Sequence, residues 1–150
     1  MTKYTDLQDS LSAGLARDEN SHSKARRFCQ AFTSSLADYL GTAEQHVIFV
    51  KREIQVDNDS GRIVPPDDPI EHESGKMVAT LVFRVDNTDV FVPFSMVHDP
   101  LADAIMVTVG KHQPQEFDVR NGAAKICDRI HELAITRFSS GLRIDPVVTL

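Results

Sequence analysis

The chain has 150 residues, 41% hydrophobic and 25% charged, with a formal net charge of −6. That length fits one domain spanning 1–150, and the balance excludes a globally disordered chain. The acidity argues against nucleic acid, whose binding rests on phosphate neutralisation by Lys and Arg.

The longest apolar runs, such as Val90–Phe94, are too short for a membrane span, and Met1–Asp6 lacks the apolar stretch of a signal peptide. Two cysteines make no disulfide framework, so a reducing cytoplasm is the expected setting.

Residues 1–20 are polar, with Leu7, Leu11 and Leu15 at weak helical spacing. Gly14 and the polar run after it mark this stretch as a loosely held segment. The first helix is expected over 21–40, where Ala25, Phe28, Cys29, Phe32, Leu36, Tyr39 and Leu40 fall three and four apart. Ser21 or Ser23 can cap its start, and Gly41 stands at the C′ position.

A strand is expected over 46–56. Ile48, Val50, Ile54 and Val56 would face the core, with Val47, Phe49 and Lys51 on the other side. Arg52 then falls on the apolar side, which implies either a bulge that switches the faces, the reading favoured by apolar Val47 and Phe49 on the other side, or a guanidinium that finds an acid at the rim of the core.

Residues 57–75 form a long acidic inter-strand loop. Six carboxylates against Arg62 give −5 of the chain's −6, and three prolines and two glycines bar a helix or a central strand. Loops of this length inside a compact domain are usually functional or disordered. Asp57–Gly61 is similar to the opening of an EF-hand, but Gly61 is at position five, Asp68 stands where Glu is needed, and a strand precedes it. No metal or other cofactor is expected. An acidic recognition segment for a basic partner, carried by Asp67, Asp68, Glu71 and Glu73, fits the charge better.

The clearest strand covers 76–86, with Met77, Ala79, Leu81, Phe83 and Val85 on one face and Val78, Thr80, Val82 and Arg84 on the other. A turn at 86–89 leads into an antiparallel return over 90–97, whose Val90, Val92, Phe94 and Met96 point inward. Pro93 lacks an N–H, so that strand should be an edge there or carry a bulge. Further strands are expected at 104–109 and 115–119. A closing helix over 121–140 carries Ala123, Ile126, Cys127, Ile130, Leu133, Ala134 and Phe138 as its stripe, with Gly141 at C′ and an extended tail over 142–150.

A run of strands between two helices predicts the α+β class. We expect a two-layer sandwich, an antiparallel sheet of four or five strands with the N-terminal and C-terminal helices packed on one face.

The other face should then be polar, yet it would carry Val47, Phe49, Val78, Val82, Phe91, Val97 and Met106 among Lys51, Thr80, Arg84 and Thr108. Such a patch indicates a partner surface, and a homodimer is the commonest way to cover one. Phe49, Val78, Val82, Phe91 and Met106 are therefore the expected partner-binding residues, together with the four acids of the loop.

A rival site is a small enzyme or ligand pocket near His98, Asp99 and Arg52, where Asp103 also clusters. No nucleophile or second ligand stands at a fixed spacing from His98, so no catalytic residue is assigned. His72 reads as a solvated loop residue. Cys29 and Cys127 read as small buried hydrophobes, and the basic residues of the two helices as solvated faces.

The layout is similar to that of small acidic secretion chaperones and toxin-neutralising immunity proteins, a likeness of arrangement without a shared motif. The expectation is a non-enzymatic cytoplasmic protein-binding module, chaperone-like or immunity-like.

Overall fold

The computed structural model describes residues 2–52, 54–99, 101–140, 144 and 146–150. It shows the expected α+β arrangement. Two helices, α1 (Lys3–Leu40) and α2 (Ala123–Ser139), accompany an antiparallel sheet built from β1 (Val47–Val50), β4 (Glu71–Glu73), β5 (Lys76–Val85), β6 (Thr88–Asp99), β7 (Ala104–Val109) and β8 (Gln115–Asp118). β9 (Val147–Thr149) completes its seven strands and lies parallel to β6. A separate two-stranded ribbon joins β2 (Gln55–Val56) to β3 (Ile63–Val64).

The helix does not begin at Ser21. α1 is one continuous helix of 38 residues, capped by the Thr2 hydroxyl on the Thr5 N–H, and Gly14 stays inside it. Gly41 takes the left-handed conformation at its end, with its N–H bonded to the Ala37 and Asp38 carbonyls, as a glycine cap does. Gly141 lies outside the described residues.

The sheet's main path runs β1-β5-β6-β7-β8. Its inner face carries Val47, Phe49, Leu81, Phe83, Val92, Phe94 and Val107, packed with Ala25, Cys29, Phe32 and Leu36 of α1 and Ile126, Cys127 and Ile130 of α2. Phe32, Phe49 and Phe94 meet as an aromatic knot of tilted and edge-to-face rings with centroids 5.1–6.3 Å apart. Truncating a buried ring of this kind costs roughly 3–5 kcal/mol.

This packing corrects the facing of β1. Val47 and Phe49 point into the core, while Ile48 and Val50 occupy the outer side opposite Val82 and Thr80. All four residues of β1 are apolar, so alternation gave no contrast by which to choose a face. No bulge is needed either, because β1 ends at Val50 and Arg52 follows it outside the strand. Glu53 of that stretch lies outside the described residues.

The acidic segment is shorter as a loop than expected. β3 and β4 fall inside it, and β4 joins β5 through Ser74 and Gly75, both with positive φ (51° and 78°). Such a pair suits a tight hairpin turn.

Pro93 sits between β5 and a divided neighbour. β9 pairs Asp89–Phe91 of β6, and β7 pairs Phe94–Asp99. The missing N–H thus falls where one partner strand has ended and the next begins.

Candidate functional site

Among the described residues, three gatherings of side chains bear on a candidate site. Two of them fasten α1 to the sheet, and the third is a hollow on the uncovered sheet face.

The first fastening surrounds His22, which α1 turns toward the acidic segment. Its Nε2 lies 2.5 Å from Asp68 Oδ2, and its Nδ1 lies 2.8 Å from His72 Nε2. The two rings stack with centroids 5.1 Å apart. Arg26 stands 3.9 Å from the same carboxylate, and Asp68 also accepts the Ile70 N–H at 3.0 Å. Burial pushes the Asp68 carboxyl up, but the hydrogen bonds from His22 and Ile70 and the charges of His22 and Arg26 outweigh it, leaving it below its usual value.

The second fastening lies where β6 turns into β7. Ser21 Oγ is 2.9 Å from His98 Nδ1, and His98 Nε2 is 3.0 Å from Asp103 Oδ1. Lys24 Nζ reaches the same Asp103 oxygen at 2.8 Å. Hydrogen bonds from Lys24 and then His98 hold the Asp103 carboxyl below its usual value. Asp103 has φ 49°, a left-handed turn conformation that Asp tolerates better than most residues.

Ser21, His98 and Asp103 have the connectivity of a hydrolase triad. Ser21, however, sits in the middle of α1, and its hydroxyl also has the Arg17 carbonyl as an acceptor at 2.9 Å. None of the hollows described below includes Ser21 or His98. What the group does chemically is cross-link α1 to the sheet through a shared proton network.

The outer sheet face carries the third gathering. Val78, Phe91 and Met106 are half-buried there, paired across the strands with Ser95, Val82 and Val97. Val82 is on the same face but only 4% exposed. A hollow of about 230 Å³ opens on this side, lined by Val50, Arg52, Glu71, Val78, Pro93 and Ser95. Arg52 donates its backbone N–H to Glu71 at 3.0 Å and pairs its guanidinium with Glu73. A smaller hollow of about 130 Å³ lies where Gly61–Ile63 approach Ile48, Val82 and Arg84. At the far end of the core, a hollow of about 220 Å³ between α2 and β9 includes His112, Arg129, Leu133 and Leu150, with the Arg129 guanidinium held on the Gln113 carbonyl and Glu132.

Of the residues expected at a partner surface, Val78, Phe91 and Met106 share the outer face, and Val82 lies beneath them. Phe49 does not, because it belongs to the core. Asp67 is exposed, whereas Asp68 is turned inward to His22, and Glu71 and Glu73 answer Arg52.

The acidic segment is therefore partly neutralised by the chain's own cations. Asp57 closes a local turn, accepting the Asp59 N–H at 2.9 Å, and this bond holds its carboxyl below the usual value. Among the described residues, no group of three or more His, Cys, Asp or Glu side chains is arranged to hold a metal ion.

The expected trio of His98, Asp99 and Arg52 does not converge. His98 faces α1, Asp99 caps its own turn by accepting the Leu101 and Ala102 N–H groups, and Arg52 lines the outer hollow. Pro100 lies outside the described residues.

Ser21, His22, Lys24 and His72 carry the polar contacts that the sequence did not flag. Their partners stand 46 to 77 residues away for the histidines and Ser21, a separation that no local spacing reports.

Cys29 and Cys127 are free and buried. Burial, and then the charge of Asp68, pushes the Cys29 thiol up to about 12; burial and Asp128 push Cys127 up to about 11. Neither is a nucleophile at neutral pH.

Among the described residues, no helix is long and apolar enough to cross a membrane. No protein-family model, no curated protein and no solved structure matches this chain.

Proposed function

We propose that this is a non-enzymatic protein-binding module, chaperone-like or immunity-like, that docks a protein partner on the uncovered face of its sheet. The observation that carries this reading is the outer hollow. Both helices pack on the inner face, so an apolar floor of Val50, Val78 and Pro93 faces outward beneath a rim holding Arg52, Glu71 and Glu73. Clefts with an apolar floor and a few polar groups are where partners and ligands seat.

The rim carboxylates Glu71 and Glu73, and the net acidity of the 57–75 segment they belong to, favour a partner segment with an apolar anchor and a cationic flank. A reducing cytoplasm suits the two buried thiols.

The test is affinity capture from the native host with wild type, Val78→Glu on the floor and Thr108→Arg on the wall. A genuine docking partner is captured at least about tenfold less by both variants, a loss of about 1.4 kcal/mol. The variants must first melt as wild type does. If every partner is recovered equally with all three proteins, the sheet-face reading fails.

A further inference from the structure

Beyond the sheet-face docking, and independent of it, we propose that the smaller hollow beside the β2–β3 ribbon binds a phosphate group, as the free ion or as a monoester. This hollow of about 130 Å³ is lined by Gln45, His46, Arg62 and Arg84 over Ile48 and Val82. It lies apart from the docking hollow, since Val82 and Val78 are four residues apart on β5, about 13 Å.

Three pieces of chain bring nitrogen donors to this place. The turn Glu44–His46 leads into β1, whose Val47 pairs with Phe83 of β5, so His46 arrives beside Arg84. Arg62 comes from the turn of the ribbon, where its backbone is fixed at both ends. Its carbonyl accepts the Asp57 N–H at 2.8 Å, and its own N–H donates to Ser60 Oγ at 3.3 Å. Arg84 forks onto Asp89 through Nε at 3.0 Å and Nη2 at 3.5 Å. That fork uses two of its five N–H donors and leaves Nη1 for the hollow.

Charge selects the occupant. Arg62 is the single cation of the acidic segment, yet among the described residues its guanidinium has no ion-pair or hydrogen-bond partner. The side chains of Gln45 and His46 have none either. Asp57 is committed to the Asp59 N–H, and Asp89 to Arg84. Two guanidinium groups against the Asp89 carboxylate leave the lining at +1, in a chain of −6. Guanidinium forks match phosphate oxygens in pairs, and clusters of arginine are a recurring means of holding phosphate. Donors arriving from three directions suit the three terminal oxygens of a phosphate better than the two of a carboxylate. The hollow is well below the roughly 300 Å³ at which pockets enclose a whole small molecule, so the rest of an ester would lie outside it. A single anion needs only a local site, and the repulsion of distant carboxylates is screened beyond about 8 Å at physiological salt.

Titration of the full chain with inorganic phosphate at constant ionic strength, followed by amide and arginine side-chain NMR shifts, tests this. Saturable shifts should appear at residues 45–46, 61–63 and 82–84. Arg62→Gln should raise the apparent Kd at least about tenfold. It should melt as wild type does, because the exposed guanidinium has no partner to lose. Arg27→Gln removes the same charge from an exposed position on α1 and should leave the Kd within about twofold. O-Phosphoserine identifies the source: binding at least as tight as that of inorganic phosphate supports the site with a monoester as its ligand, and weaker binding supports it with the free ion. Shifts that fail to saturate, that saturate alike in wild type and Arg62→Gln, or that weaken as much with Arg27→Gln overturn the site. Acetate bound as tightly as phosphate overturns the assignment of phosphate to it.

Discussion

At His98 the second partner of the imidazole is a hydroxyl, whereas at His22 it is another imidazole. Both rings also meet a carboxylate, and both help fix the middle of α1 to the sheet. A hydroxyl can rotate. With His98 neutral, Ser21 donates to Nδ1; with His98 charged, Nδ1–H donates to Ser21, whose own proton turns to the Arg17 carbonyl. The contact survives either way. Between His22 Nδ1 and His72 Nε2 there is room for one proton only, and charging both rings sets N–H against N–H. Like residues in like places thus differ in their tolerance of acid because one partner is a rotor and the other is rigid.

The largest effect should come from removing the carboxylate that anchors the rigid pair. Asp68→Ala leaves His22 and the Ile70 N–H without their acceptor and Arg26 without its counter-charge, and should cost about 1–2 kcal/mol in urea unfolding at neutral pH, moderated by partial exposure. The pH dependence has a definite sign. Because the folded carboxyl titrates below its usual value, its contribution is full above the ordinary carboxylate range and is lost as pH falls through the lowered folded value. Wild type and variant should therefore converge in strong acid. A gap that stays constant down to pH 2 would mean that the ion pair is not the cause.

Ser21→Ala should cost less, about 1 kcal/mol, because one hydrogen bond of a ring that is 10% exposed loses its partner. An unchanged unfolding midpoint for Ser21→Ala would leave the comparison without its second half.

The smallest effect is local and needs no variant. A proton shared between His22 Nδ1 and His72 Nε2 should couple those two ring nitrogens to each other, whereas the contact of His98 Nδ1 with the Ser21 hydroxyl leaves that ring without a nitrogen partner. Nitrogen-15 spectra of the histidine rings distinguish the two. Parallel behaviour at all three rings would remove the contrast between rotor and rigid partner.

The sequence made the α+β layering legible because β5 alternates cleanly and both helix stripes hold their spacing over several turns. Met77, Ala79, Leu81 and Phe83 point inward as alternation requires, and Ile126, Cys127 and Ile130 face them from α2. β1 was not legible, since Val-Ile-Phe-Val offers period two nothing to distinguish. β3 and β4, of two and three residues, are too short to show alternation within an acidic run.

The fastenings were hidden for another reason. They unite residues far apart in the chain, so His72 looked like a solvated loop residue until β4 brought it beside α1. Arg52 was misplaced because the strand ends before it, which freed its backbone and guanidinium for Glu71 and Glu73.

Pro93 has a consequence for the chain's resistance to invasion by other strands. β9 lies on β6 through the Asp89 N–H to the Pro146 carbonyl and the Leu150 N–H to the Phe91 carbonyl, both at 2.8 Å. Were that strand to lift away, the vacated berth would span only Asp89–Phe91. Beyond it stands a residue with no donor, and then β7 already occupies the ladder. At this position a foreign strand could gain a foothold of three residues and no more, too few to seed a growing stack of chains there.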